Sequence, residues 1–137
     1  MSLPLPLPRI VARALAALIV VLCASACSSQ KDPSRNDPDW TPSAQQVAEL
    51  EAAVTLPPGA KPLASYARYY TGVRESGRQL IKGVLVYPSS GDGRSAGSSI
   101  VPGAQMPEIF GGGCFVIELT QDVAAKRFVE VHCHGDG

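Results

Sequence analysis

The sequence predicts a small α+β domain, with one N-terminal helix packed on a small antiparallel sheet of four to five strands built from two hairpins. Three observations carry this reading. Apolar residues recur at helical spacing between 43 and 54. Two β-rich runs, YARYYTGV and QLIKGVLVY, flank the turn-forming RESGR, and two more, CFVIELT and KRFVEVHC, flank DVAA.

The helix is expected directly after Trp40. Thr41 suits the N-cap, Pro42 suits the first helical position, and SAQQVAELEAAV is rich in helix formers. Val47, Leu50 and Val54 make one apolar stripe, with Gln46, Glu49 and Glu51 mostly off it. LPPG at 56–59 stops the helix. A helix of about 13 residues is marginal alone, so the stripe needs a sheet to lie on. A lone Trp40 at the helix entrance is expected to pack on the domain.

The first hairpin turns at RESGR, where Gly77 can take a positive φ. With Ser76 and Gly77 as the loop, Glu75 faces Arg78, Thr71 faces Lys82 and Tyr70 faces Gly83, where a ring can cover the glycine gap. Tyr66, Tyr69 and Tyr70 read as sheet packing rather than a ligand stack. Residues 88–113 are rich in Gly, Ser and Pro. They predict a loop over 88–98, a short edge strand near Ser99–Val101, and a return to the sheet at MPEIF. The run GGGC at 111–114 reads as a pliant lead into a strand, with no following helix to hold phosphate.

The second hairpin is centred on 122–125, where Asp122 can open a type I turn. Thr120 then faces Arg127, Glu118 faces Val129, Val116 faces Val131 and Cys114 faces Cys133. Opposed residues hold their Cβ atoms about 4.5–5.5 Å apart and a disulfide needs about 3.5–4.5 Å, so a Cys114–Cys133 bond is expected. In this register Phe115, Ile117 and Leu119 share the more apolar, core-facing side with Phe128, Glu130 and His132.

The N-terminus precedes the domain. Arg9 and Arg13 stand before the apolar run ALAALIVVLCA at 14–24, which is shorter than the roughly 20 residues a membrane span needs. Residues 1–26 therefore read as an export signal. Its end, ASAC at 24–27, resembles the lipobox of bacterial lipoproteins, with Ala24 where that family usually carries leucine. The resemblance covers only the first 27 residues and implies a lipid on Cys27; the polar, proline-containing composition that follows reads as a tether over 27–40, ahead of one domain over 41–137. Ser28, where Asp would retain a lipoprotein in the inner membrane, implies an outer-membrane address facing the periplasm. Ala24-x-Ala26 also fits an ordinary signal peptidase site, which leaves a secreted or soluble periplasmic protein as the alternative. Cys23 would leave with the signal and Cys27 would carry lipid, so Cys114 and Cys133 remain as a pair in a disulfide-permitting compartment.

Charge points away from nucleic acid. The chain holds 12 basic and 12 acidic residues, scattered without a basic stripe, and two of the basic ones lie in the signal. No nucleophile-elbow, zinc-protease or phosphate-loop motif is present in the sequence, so no catalytic residue and no cofactor is assigned. Asp92 and Glu108 are loop carboxylates that nothing in the sequence brings together.

The terminal VEVHCHGDG offers His132, Cys133 and His134 as ligands. Strand alternation sends Cys133 to the opposite face from both histidines. His132 and His134 alone supply two nitrogens, with Asp136 in reach only if the tail curls, against the four ligands of a structural zinc site. YARYYTG and GGGCFVIELT also resemble stretches of small exported proteobacterial proteins, a likeness that implies no activity. The function expected is that of a non-catalytic envelope lipoprotein, anchored to the membrane by lipid and binding or scaffolding another envelope protein. The alternatives are a periplasmic metal-handling protein using His132 and His134, and a small enzyme whose site the sequence hides.

Overall fold

The computed structural model of the protein describes residues 40–135. The signal over 1–26, Cys27 and its tether up to residue 39, and Asp136 lie outside the described residues.

Helix α1 spans Ala44–Ala53, and its N-cap is Ser43 rather than the expected Thr41. The reason is a capping box. Ser43 Oγ accepts from the Gln46 backbone N–H at 3.1 Å, and the Gln46 side chain accepts from the Ser43 N–H at 2.8 Å. Three residues beyond Thr41 stands Ala44, which has no side-chain acceptor to complete such a pair. Val47 and Leu50 are buried against the sheet, and Val54 packs at the margin of the same core.

Five strands form one sheet in the order β3-β1-β2-β4-β5: β1 is Ala67–Glu75, β2 Arg78–Val86, β3 Gly97–Ile100, β4 Gly113–Asp122 and β5 Arg127–His134. The sheet is mixed, which corrects the fully antiparallel expectation. β3 runs parallel to β1, from Ala67 opposite Gly97 to Tyr70 opposite Ile100. β2 ends beside the start of β1, and the short link over 87–96 stays at that end of the sheet, so β3 sets out in the direction of β1.

MPEIF does not return the chain to the sheet. The chain from Val101 to Gly112 carries one 3₁₀ turn at Gly103–Gln105 and no strand. Pro102 and Pro107 lack the N–H that a sheet ladder needs. Gly103 and Met106 instead lie by Thr71 and Thr120, on the face of the sheet opposite α1, and Gly112 abuts Val116.

In the β1–β2 hairpin Ser76 and Gly77 form a two-residue loop with φ of 51° and 76°, and Glu75 pairs with Arg78, Thr71 with Lys82 and Tyr70 with Gly83. A Cβ at Gly83 would press on the Tyr70 ring at 2.8 Å and on Leu119 at 2.9 Å. The Tyr70 ring thus occupies the space that a side chain at 83 would need.

The second hairpin departs from its expected register. The turn is Val123–Lys126, closed by Asp122 opposite Arg127. Val129 is an extra residue on β5, so Thr120 pairs with Glu130, Leu119 with Val131 and Glu118 with His132. The expected partners, Arg127 for Thr120 and Val129 for Glu118, are each three positions away. A second irregularity, between Gly113 and Ile117, returns the pairing to Gly113 opposite His134. It brings Cys114 to Cys133, and the two form a disulfide with Cα atoms 4.5 Å apart. The expected bond therefore forms although the register around it differs. The core face changes with the register. Val131 rather than His132 packs toward α1, Glu130 points away, and Phe115 is 54% exposed.

The core beneath α1 is Val47, Leu50, Tyr66, Tyr70, Ile81, Leu85, Ile117 and Leu119. Tyr66 keeps its hydroxyl satisfied by donating to the Cys114 carbonyl at 2.7 Å and accepting from the Lys61 N–H at 2.9 Å. Arg68 pairs with Glu51 at 2.8 Å where helix and sheet meet. Burial, reinforced by the nearby Glu51 carboxylate, pushes the Tyr70 hydroxyl pKa up.

The Asp122 carboxylate caps its own turn. The Ala125 backbone N–H, donating at 3.0 Å, holds the carboxyl pKa below the usual range against desolvation, and Arg78 at 3.3 Å adds to this. A depressed carboxyl stabilises the fold above its unfolded pKa and loses that contribution as pH falls through its lower folded value. Asp122→Asn should therefore flatten the loss of stability below about pH 4. Denaturation midpoints measured against pH check this, and superimposable acid limbs would contradict it.

Candidate functional site

The face of the sheet away from α1 carries the polar side chains that the chain assembles from several strands. Alternation places Thr71 and Val73 of β1, Lys82 and Val84 of β2, Glu118 and Thr120 of β4, and Glu130 and His132 of β5 on this side. All of these but His132, together with Met106, border an open trough of about 400 Å³. Val73, Val84 and Met106 supply apolar surface, and Lys82, Glu118 and Glu130 supply charge. Lys82 is paired with Glu75 at 2.7 Å.

At the β4–β5 end five side chains meet: Glu118, Thr120, Glu130, His132 and His134. Glu118 stands directly opposite His132, and His134 is two residues further along the same face. His132 Nε2 lies 3.4 Å from Glu118 Oε2, and His134 Nδ1 lies 3.0 Å from Glu118 Oε1. Thr120 Oγ1 donates to Glu130 Oε1 at 2.8 Å, and Glu130 Oε2 is 4.0 Å from His132 Nδ1. The group is half-exposed: Glu118 retains 40% of its side-chain accessibility, His132 48% and His134 26%. Contacts of this kind between exposed charges contribute only about 0–1 kcal/mol each, so they shape the surface more than they hold the fold.

The residues singled out in sequence are distributed as follows. Cys114 and Cys133 form the disulfide described above, and Cys133 stands on the opposite face from both histidines. Asp92 is engaged by its own turn, accepting from the Ser89 N–H at 2.8 Å and from the Arg94 N–H at 2.8 Å, which lower its carboxyl pKa. Glu108 is exposed on the 101–112 crossing segment. Among the described residues, no group of three or more His, Cys, Asp or Glu side chains is arranged around a metal position, and no helix is long and apolar enough to cross a membrane. Sequence reasoning missed Glu118 as the neighbour of both histidines, and missed Thr120 and Glu130 beside them. Glu118, Thr120 and Glu130 are alternate positions of two strands, a visible signal, but the extra residue at Val129 that sets them opposite one another has no signature in composition.

Comparison with protein-family models, with curated proteins and with solved structures gave no match.

Proposed function

We propose that the protein is a non-catalytic envelope lipoprotein, anchored by lipid at Cys27, which holds another envelope component on the helix-free face of its sheet. The observation supporting this most directly is the open trough on that face, with apolar Val73, Val84 and Met106 between charged Lys82, Glu118 and Glu130. A surface of this mixed kind suits a partner that brings both apolar and polar groups. The ASAC ending and the polar stretch after Cys27 support the anchor, and the disulfide fits an oxidising compartment.

Photo-crosslinking in cells tests the reading. A crosslinker at Val84, within the trough, should give a discrete adduct in the membrane fraction, whereas one at Gln45 on the exposed side of α1 should not. In the same cells labelled palmitate should enter the chain but not its Cys27→Ala variant. Identical adduct patterns from both positions would overturn the binding face, and equal labelling of the two chains would overturn the anchor.

A further inference from the structure

We infer that the groove between α1 and the β4–β5 turn binds a short peptide of small residues with both termini free. The groove lies on the opposite side of the sheet from the trough. It needs neither the lipid anchor nor the envelope partner, so the inference stands apart from that reading.

The floor carries the main pointer. Gln121 stands opposite Ile81 on β2 and Phe128 on β5, which places its side chain on the α1 side, where it lines a groove of about 380 Å³. Gln121 is only 7% exposed, yet its carboxamide has no hydrogen-bond partner among the described residues. Buried polar groups are nearly always paired, and an exception points to a ligand or water that completes it. A carboxamide offers a donor and an acceptor together, the two functions that a peptide bond needs. Gln46 on the wall adds a donor: its Oε1 is taken by the Ser43 N–H at 2.8 Å, which leaves Nε2 to serve a ligand carbonyl.

Ala52 and Ala53 of α1 and Val123 of the turn complete the lining with apolar surface, against which short aliphatic side chains can pack. The volume sits at the lower end of the roughly 300–1,000 Å³ of small-ligand sites, which fits a peptide of two or three residues and excludes a folded partner.

The mouth supplies the charge. Glu49 and Lys126 line the groove from its two sides, and Lys126 Nζ reaches Glu49 Oε2 at 3.4 Å. Their side chains are 50% and 78% exposed, so the pair is weakly held. It opens at little cost to the ligand's own ends, the ammonium to Glu49 and the carboxylate to Lys126. Lys126 also holds φ at 49°, in the left-handed region that glycine or asparagine adopts with less strain. The turn thus keeps a strained lysine where glycine would close it more easily, as expected of a residue retained for its charge.

Ala-Ala is the probe, titrated into the full chain purified in detergent with its disulfide intact. Calorimetry should show one saturable site with a dissociation constant between about 10 μM and 1 mM. The Gln121 side-chain amide should shift with the same saturation in NMR spectra. Gln121→Met keeps the length and loses the hydrogen bonds, and should weaken binding by about tenfold. Lys126→Gly should weaken it to a similar degree while leaving the denaturation midpoint level or higher, because the charge goes and the turn relaxes. N-acetyl-Ala-Ala methyl ester, neutral at both ends, should bind at least about tenfold less well than Ala-Ala. Absence of saturable binding up to about 10 mM would overturn the inference, as would wild-type affinity in Gln121→Met. Tighter binding of N-acetylglucosamine than of Ala-Ala would also reject it, since the groove would then read an amide carried on a sugar. Should Gln121→Met fail to fold, the wild-type spectra decide: a Gln121 side-chain amide that stays still while Ala-Ala saturates rejects the site.

Discussion

Gly72→Ala is expected to destabilise the domain by about 3 kcal/mol, at the upper end of what overpacking a core costs. Gly72 is a buried β1 residue on the α1 side of the sheet, and Trp40 lies directly over it. A Cβ at position 72 would fall within the Trp40 ring and against the Trp40 carbonyl oxygen. A flexible side-chain tip could swing aside, but a backbone carbonyl cannot do so without moving the start of the domain. The indole is therefore expected to leave its seat. Trp40 is the only tryptophan, so its emission reports this directly, shifting to the red as the ring enters water. The ring and the carbonyl can be separated by a double-mutant cycle with Trp40→Ala. Removing the ring should recover about 1 kcal/mol of the Gly72→Ala cost and leave the part due to the carbonyl. Unchanged emission together with a wild-type denaturation midpoint would show that Trp40 does not sit on Gly72.

Loss of the Cys114–Cys133 disulfide is expected to cost about 3 kcal/mol, the value for closing a loop of this size in the unfolded chain. The two residues are 19 apart in sequence and staple the open end of the β4–β5 hairpin. Their bond lies where the ladder is irregular, between Gly113 and Ile117, so few backbone hydrogen bonds share the task of holding the strands together. Cys114→Ser/Cys133→Ser should lower the guanidinium midpoint, and wild-type protein kept in reductant should fall to the same value. Amide exchange should quicken at Cys114–Val116 more than along β1 and β2. Equal midpoints for oxidised and reduced protein would show that the hairpin is held without the bond. The same variant bears on the Glu118 cluster, because His134 lies one residue beyond Cys133 and relies on that end of β5 for its place.

Some of this architecture is readable from local sequence. The two-residue Ser76–Gly77 turn sets the β1–β2 register completely, because a tight loop leaves no freedom to slip and Gly77 takes the positive φ at no cost. The stripe of Val47, Leu50 and Val54 likewise marks the buried side of α1. Other features resist local reading. The β4–β5 turn is longer, and the extra residue at Val129 depends on the match of two apolar faces across strands. That match puts Val131 under the helix and releases His132 to the other side, an exchange that β propensity cannot distinguish. The direction of β3 depends on which end of the sheet the 87–96 link occupies, and no residue in the link encodes that.

The candidate cluster divides in the same way. His132 and His134 are conspicuous in sequence, and simple alternation already parts them from Cys133. Glu118 is not, since a strand carboxylate looks like any solvent-facing residue until its cross-strand neighbour is known. A shift of three positions turns that neighbour from Val129 into His132.

By itself, then, the sequence determined the elements: the helix and its buried stripe, the first hairpin residue by residue, and the pairing of Cys114 with Cys133. Each follows from chemistry acting within a few residues, or from the scarcity of cysteine. Tertiary structure alone decided the parallel edge strand, the crossing of residues 101–112 over the helix-free face, and the meeting of Glu118 with His132 and His134. These depend on contacts between segments far apart in the chain, where burial of one whole face of the sheet outweighs any local preference.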